Sequence, residues 1–159
     1  VMQKTGGLFA RTIKDVSKDY QDIETEEVLV DAASLYLVKD PDRFEVIVTT
    51  NLFGDILSDL SGGLVGGLGL CPSANIGRDN GIFEPVHGTA PDIAGRGIAN
   101  PTAMILSASH MLKFLNKKDL ADELDKAVTE TLQQGETTPD LGGSLTTSQM
   151  TACIKEKLR

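Results

Sequence analysis

The sequence lacks several features that define common classes of protein. Its 159 residues include only two cysteines, Cys71 and Cys153, which argues against a disulfide framework, and neither has the CxxC spacing of a structural zinc site. The longest apolar stretches fall well short of the ~20 residues that a transmembrane helix needs. No signal-peptide pattern opens the chain. These absences favour an intracellular type of protein without a membrane span.

Basic charge is also scarce. The chain has 15 Lys and Arg against 23 Asp and Glu, a formal net charge of -8. Without a basic surplus or a Lys/Arg-rich run, binding to nucleic acid or to an anionic membrane loses its electrostatic driving force. We therefore expect neither a nucleic-acid nor a membrane partner. An apolar content of 40% is enough for one core of ordinary size.

The spacing of apolar residues alternates between helical and strand-like patterns. Helical periodicity predicts helices over the first ~20 residues and over 32–38, 52–65, 101–115 and 119–134. Short apolar or β-branched runs predict strands at 28–30, 44–49 and 82–86, a loop passes through Pro72 and Asn75, and Ser148 is predicted to cap a last helix. This alternation predicts an α/β fold with a largely parallel or mixed sheet.

Acidic residues in the helix predicted to begin at residue 52 are candidate metal ligands. Asp55 and Asp59 are four residues apart, so their carboxylates share one face of the helix, beside an apolar face that includes Phe53 and Ile56. Like charges at this spacing repel unless a cation or a donor lies between them, and Mg²⁺ or Mn²⁺ takes such oxygens. The alternative is a solvated acidic flank. Asp31 follows a predicted strand, where it either faces a ligand or caps a helix.

A second candidate site follows the strand predicted at 82–86. Small residues after it, such as Gly88 and Ala90, let a ligand approach the backbone closely. Asp92 is an acceptor that could hold a ribose diol and repel a 2′-phosphate. His87 either has a structural role or belongs to this site. The glycine-rich stretch 62–69 does not match a GxGxxG fingerprint and favours close helix packing or a turn.

These segments together resemble the β-decarboxylating dehydrogenases, the family of isocitrate, homoisocitrate and 3-isopropylmalate dehydrogenases. The matching motifs occur in family order and are NLFGDILSD at 51–59, PSANIG at 72–77, EPVHGTAPDIAG at 84–95, GIANP at 97–101 and TPDLGG at 138–143. The resemblance implies the α/β fold of that family. Family members are more than twice as long, so the chain is expected to be the C-terminal half only.

The resemblance also implies a domain organisation and a set of functional residues. Residues 1–65 would belong to the small, dimer-forming domain and 66–159 to the large, cofactor-binding domain. Asp55 and Asp59 would bind Mg²⁺ or Mn²⁺, with Asp31 reaching the metal from the partner subunit of a homodimer or higher oligomer. The residues implied to bind NAD, on the adenosine side, are Glu84, His87, Gly88, Thr89, Ala90, Asp92, Ile93 and Asn100.

No catalytic residue is expected within this chain. In the family, the catalytic lysine and tyrosine and the arginines that bind the substrate carboxylates would lie upstream of Val1. Lys4 stands at the wrong offset to be that lysine. The expected compartment is the cytosol or the mitochondrial matrix.

The substrate is implied by the residues after the second metal aspartate. Isopropylmalate enzymes usually have Glu directly after it and Gly-Ser a little later. This chain has Leu60 and then Gly62-Gly63. This form is more similar to the catalytic subunit of NAD-dependent isocitrate dehydrogenases, since regulatory subunits tend to lose the acidic pair. The expected reaction is the metal-dependent oxidative decarboxylation of a 2-hydroxy acid, isocitrate in preference to homoisocitrate or 3-isopropylmalate. The alternative of another class is a non-catalytic assembly or regulatory subunit.

Overall fold

The structure is a computed structural model that describes residues 3–158. Its elements in chain order are α1 (Thr5–Ser17), α2 (Val30–Lys39), α3 (Asn51–Leu64), β1 (Pro72–Ile76), β2 (Gly81–Pro85), α4 (Thr102–Phe114), α5 (Lys118–Gln133) and α6 (Thr147–Lys157), with short 3₁₀ turns at Pro41–Arg43, Leu68–Leu70 and Pro139–Leu141. The chain divides into two compact units, the first ending at Phe53 and the second beginning at Gly54.

The first unit is held together by an arginine that joins three segments. The Arg43 guanidinium donates two hydrogen bonds to the Glu26 carboxylate, at 3.0 and 2.8 Å, and stacks 4.2 Å from the ring centroid of Tyr36 in α2. A planar guanidinium can make both contacts at once, which a lysine cannot. The hydrogen bonds from Arg43 lower the pKa of the Glu26 carboxyl group. Ala33 of α2 is buried, whereas α1 buries none of its described residues.

The core of the second unit lies between its last three helices. Ala127 and Val128 of α5 pack with Met150 and Ile154 of α6, and all four are nearly inaccessible to solvent. Partly buried apolar side chains, among them Ile105 and Leu132, surround this cluster. The helical periodicity of α5 predicts an inward face that includes Leu120, Ala127 and Val128; Ala127 and Val128 are buried, whereas Leu120 is 54% exposed.

Strands β1 and β2 form an antiparallel hairpin, with Ser73 opposite Glu84 and Ala74 opposite Phe83. The Phe83 ring packs against Phe114 of α4, with centroids 5.7 Å apart. Within residues 3–158 this pair is the whole sheet, so the expectation of a largely parallel or mixed sheet is wrong for this part of the fold.

Two of the predicted strands are wrong. Val30 is the first residue of α2, and residues 44–49 form no strand. Val46 is 80% exposed. Apolar, β-branched composition favours a strand only where a neighbouring strand supplies backbone hydrogen bonds and side-chain contacts, and no neighbour pairs with either segment in the described chain.

The remaining elements confirm the predicted helices and correct their ends. The segment from Pro72 to Asn75, predicted as a loop, is the start of β1, and a proline is tolerated as the first residue of a strand. Helix α6 is capped by Thr146 rather than by Ser148, because Thr146 and Gln149 form a reciprocal capping box. The helix predicted over the first ~20 residues is α1, and residues 1 and 2 lie outside the described chain.

The expected division near residue 65 concerns the domains of the longer protein and stays a prediction.

Among residues 3–158, none of the helices combines the length and the apolar character needed to cross a membrane.

Candidate active site

A cavity of about 470 Å³ in the second unit brings together two of the predicted groups of functional residues. Its lining comes from α3, β1, β2 and the residues just after β2, namely Asp55, Ser58, Pro72, Ser73, Glu84, Pro85, Val86 and His87. Asp55 is one of the predicted metal ligands, whereas Glu84 and His87 are predicted cofactor residues. Two carboxylates and an imidazole therefore share one solvent-accessible cavity.

Close packing at a glycine places α3 beside the segment that leads into β1. A Cβ atom added to Gly62 would lie only 2.9 Å from Leu68 Cδ2 and 3.1 Å from Cys71 Sγ. Gly66 and Gly67 then adopt φ values of 116° and 123°, which favour glycine. Both expectations for the glycine-rich stretch, close packing and a turn, are thus confirmed at different positions.

The three predicted metal ligands are placed differently. Asp55 and Asp59 stand one turn apart on α3, but only Asp55 lines the cavity. Asp31 lies in the first turn of α2, where its Oδ1 accepts a hydrogen bond of 2.8 Å from the Ala32 backbone N–H. Among residues 3–158 no three His, Cys, Asp or Glu side chains are grouped so that they could hold a metal ion. The aspartates of α3 thus offer hard oxygen donors, but the described chain does not complete a metal site by itself.

Glu84 is positioned by the hairpin. It faces Ser73 across the antiparallel pair, and Asn75 Nδ2 donates a hydrogen bond of 3.3 Å to Glu84 Oε1. Ser58 and Ser73 line the same cavity, yet sequence reasoning assigned them no role. The available signal was the place of each serine in a family motif, Ser58 in NLFGDILSD and Ser73 in PSANIG.

The segment after β2 is an irregular, largely exposed loop. The Val86 N–H donates to the Cys71 carbonyl at 3.1 Å, which fixes the start of the loop to the end of the preceding turn. Ala90 has a φ of +42°, unusual for a residue with a side chain. Asp92 is exposed and Ile93 is half-buried. The structure thus leaves the Asp92 carboxylate accessible among small residues, and its predicted role at a dinucleotide ribose stays a prediction.

Asn100 differs from the other predicted cofactor residues because it is 9% exposed. Its Oδ1 accepts a hydrogen bond of 3.0 Å from the Thr102 N–H, at the start of α4. Its Nδ2 donates to Asp140 Oδ2 at 3.0 Å. The side chain therefore connects the end of the loop to a helix and to a distant carboxylate.

A thiol lies close to this region. Burial raises the pKa of Cys71, and the negative charge of Asp59 raises it further. The thiol is therefore neutral at pH 7 and a poor nucleophile.

Comparison with known proteins identifies the family. The family model described as isocitrate/isopropylmalate dehydrogenase matches residues 1–154. The isocitrate/homoisocitrate dehydrogenase of Thermus thermophilus is 55% identical over the whole chain, which covers 48% of that protein. A mitochondrial protein of Arabidopsis thaliana named isocitrate dehydrogenase [NAD] catalytic subunit 5 is 49% identical over 99% of the chain and 43% of its own length.

A solved structure agrees with these relatives. The crystal structure of isocitrate dehydrogenase from Methylococcus capsulatus superposes with a TM-score of 0.96 at 50% identity, over 99% of the chain and 48% of that protein. The chain belongs to the isocitrate/isopropylmalate dehydrogenase family, and its α/β fold is confirmed. It spans about half the length of the relatives it matches, as expected of a C-terminal half.

Proposed function

We propose that the protein carrying this chain oxidises and decarboxylates a 2-hydroxy acid, with NAD as the hydride acceptor and Mg²⁺ or Mn²⁺ as the bound cation. The observation that carries the proposal is the shared cavity of Asp55, Glu84 and His87. Hydride transfer to a nicotinamide requires the cofactor beside the substrate, and an anionic substrate is held by a cation that carboxylates anchor. The cavity places Asp55, a proposed metal ligand, next to Glu84 and His87, which are proposed cofactor residues.

The metal role is proposed for Asp55 and Asp59. Carboxylate oxygens are the donors that Mg²⁺ and Mn²⁺ prefer, and two of them on one helix face repel until a cation is bound. The described chain lacks a third ligand beside them. We therefore propose that Asp31 of the partner subunit supplies it, which requires a dimer or a higher oligomer. When bound, the cation would polarise the substrate hydroxyl oxygen and stabilise negative charge on it after CO₂ leaves.

The cofactor role is proposed for the end of β2 and the loop that follows it. The side chains and backbone from Glu84 to Ile93, together with Asn100, would hold the adenosine side of the dinucleotide. Asp92 accepts hydrogen bonds from a ribose diol, and its charge opposes a 2′-phosphate, so NAD is favoured over NADP. His87 would contribute from the cavity wall. Its Nδ1 lies 2.9 Å from the Gly88 carbonyl oxygen, which ties its ring to the loop.

Isocitrate is the proposed substrate, because Leu60 stands where isopropylmalate enzymes usually carry Glu. The test uses the longest protein that the gene encodes. It is assayed with isocitrate, homoisocitrate and 3-isopropylmalate, each with NAD or NADP, with Mg²⁺ or with excess chelator. We expect the highest kcat/KM for isocitrate with NAD and loss of activity without the cation.

Three results would contradict parts of this proposal. Preference for another hydroxy acid would overturn the substrate, and undiminished turnover in chelator would overturn the metal role. Absence of turnover with all three acids, combined with assembly onto an active homologous subunit, would establish the non-catalytic alternative instead. Size determination of the same protein would test the oligomer that Asp31 requires.

A further inference from the structure

The loop after β2, residues 86–100 (the cofactor loop), ends at a polar cluster in which Asn100 and Thr138 are buried and Asp140 is exposed. Asp140 stands at its centre, with Oδ2 accepting from Asn100 Nδ2 at 3.0 Å and Oδ1 accepting from Thr138 Oγ1 at 2.6 Å. Thr138 is fully buried. An ionised carboxylate that accepts hydrogen bonds on both oxygens fixes the orientation of its donors more strongly than a neutral acceptor would.

The space for this cluster is created by a glycine. A Cβ atom on Gly69 would lie 3.0 Å from Asn100 Cβ and 3.1 Å from Asp140 Oδ2. The turn before β1 therefore packs directly onto the pair. Three segments of the second unit, far apart in sequence, meet at the Asn100 side chain.

Two more hydrogen bonds join the same loop to the start of α6. The Thr147 N–H donates to the Gly97 carbonyl at 2.8 Å, and Thr147 Oγ1 donates to the Ala99 carbonyl at 2.5 Å. The segment 138–147 thus makes contact with Gly97, Ala99 and Asn100. Between these contacts and Val86, the backbone hydrogen bonds of the loop within residues 3–158 are local turns, such as the one that the Ile93 N–H donates to the Ala90 carbonyl oxygen.

We propose that Asp140 is a positioning residue for the dinucleotide. Its carboxylate accepts hydrogen bonds from Asn100 and from Thr138, and it thereby fixes the end of the cofactor loop at Asn100. This inference rests on the proposed function of that loop. The loop carries Asp92 between its start at Val86 and its end at Asn100. Loss of the Asp140 contact leaves only the Thr147 hydrogen bonds to Gly97 and Ala99 at that end, so the end is held less firmly and the ribose-binding carboxylate can move. Binding then has to pay for ordering the loop, which weakens the cofactor complex without changing the chemical step.

The first test measures the loop without any ligand, in the longest protein that the gene encodes. Hydrogen exchange of the backbone amides of residues 95–100 is compared in the wild type, Asp140→Asn, Thr138→Val and Thr138→Ser. We expect exchange at least about tenfold faster in Asp140→Asn, because the amide is uncharged and has one acceptor oxygen where the carboxylate accepts from Asn100 and Thr138 on two, and faster in Thr138→Val. Thr138→Ser keeps the donor and should stay near the wild type. Thr129→Val, which removes an exposed hydroxyl bonded within α5, is the matched control.

The second test measures kinetics on the same set. Asp140→Asn should raise the KM for NAD by about tenfold, with kcat and the KM for the hydroxy acid within about threefold of the wild type. Thr138→Val should also raise the KM for NAD, whereas Thr138→Ser should keep it near the wild-type value. A merely structural role would lower active enzyme concentration and so kcat, leaving the KM for NAD unchanged.

The two tests separate the possible failures. Unchanged exchange in Asp140→Asn would overturn the attachment of the loop, and faster exchange with an unchanged KM for NAD would overturn its effect on the cofactor. A wild type that binds no NAD would overturn the proposed function itself, and the effect on the cofactor with it. The exchange data would still decide whether Asp140 holds Asn100.

Discussion

Asp55 of α3 and His87 after β2 line the same cavity, although the whole β-hairpin separates them in sequence. Gly62 makes this possible, because its missing side chain lets the turn that precedes β1 pack against α3. A helix rich in aspartate and a loop of small residues are thereby placed together in one compact unit. The proposed chemistry needs the cation site and the dinucleotide site to be neighbours, since a dinucleotide held by this loop would have to reach the substrate that the cation binds.

Replacing Asp55 by Asn tests the metal role. The amide keeps the size of the side chain but loses the negative charge that a divalent cation requires. Loss of an outer-shell partner of a metal costs about 10- to 100-fold in affinity or activity, so loss of a direct ligand should cost more than about 100-fold in kcat/KM for isocitrate. Titration with Mg²⁺ in a calorimeter and steady-state kinetics would measure both quantities in the full-length protein.

A matched control for this change is Asp122→Asn, an exposed aspartate in α5. It removes the same charge away from the cavity and should leave Mg²⁺ binding and turnover within about twofold. Equal activity of Asp55→Asn and the wild type would contradict the assignment of Asp55 as a ligand.

Replacing Asp92 by Asn tests the choice between NAD and NADP. The carboxylate is exposed, so a 2′-phosphate bound beside it would meet a like charge that is worth about 1 kcal/mol at 4 Å in water. Removal of the charge should raise the ratio of kcat/KM for NADP to that for NAD by about five- to tenfold. Steady-state kinetics with both cofactors measure this ratio. A ratio that does not change would show that Asp92 does not face the ribose.

Much of the site was predictable from local patterns. The helical spacing of Asp55 and Asp59, the strand that ends before His87 and the small residues after it are properties of short segments, and the structure places them as the spacing predicts. Recognition of the family motifs then connected the segments. None of this required knowledge of distant contacts.

The errors lie where structure depends on distant partners. Residues 44–49 have strand composition, but Val46 is 80% exposed and no described strand pairs with it. Likewise Phe53 and Ile56, predicted to be on the apolar face of α3, stay exposed, and Leu57 is the buried member of that face. Apolar patterning reports which residues can be buried, and only a packing partner decides whether they are. The link between Asn100 and Asp140, which spans 40 positions, is equally invisible to local patterns.

Two adjacent glycines of α3 provide a test of the packing that shapes the cavity. Gly62→Ala would place a methyl group against Leu68 and Cys71, which should destabilise the protein by about 1–3 kcal/mol through overpacking. Gly63 has no neighbour within 4 Å of an added Cβ, so Gly63→Ala should instead stabilise by up to about 1 kcal/mol through helix propensity. Urea unfolding of both variants measures the difference. The same sign of change in both variants would contradict the close contact at Gly62.

The ion pair between α4 and α5 gives a prediction for pH. Burial alone would raise the pKa of Asp125, but hydrogen bonds from Lys113, at 2.6 Å, and from Ser109 outweigh it and hold the pKa below its ordinary value. A carboxyl group whose pKa is lower in the folded state stabilises the fold above the unfolded pKa, and this stabilisation is lost as the pH falls through the folded pKa. The pair is partly exposed, so we expect it to contribute about 0.5 kcal/mol at pH 7.

Asp125→Asn should therefore be less stable than the wild type at pH 7, and the difference should shrink as the pH falls below about 4. Urea unfolding at pH 7, 5, 4 and 3 measures it, with Asp122→Asn on the same helix as the control, because Asp122 forms no ion pair in the described chain. Salt should reduce the difference at pH 7, since exposed pairs are screened. A difference that is independent of pH would mean that the effect of Asp125 comes from its hydrogen bonds as a neutral group and not from its charge.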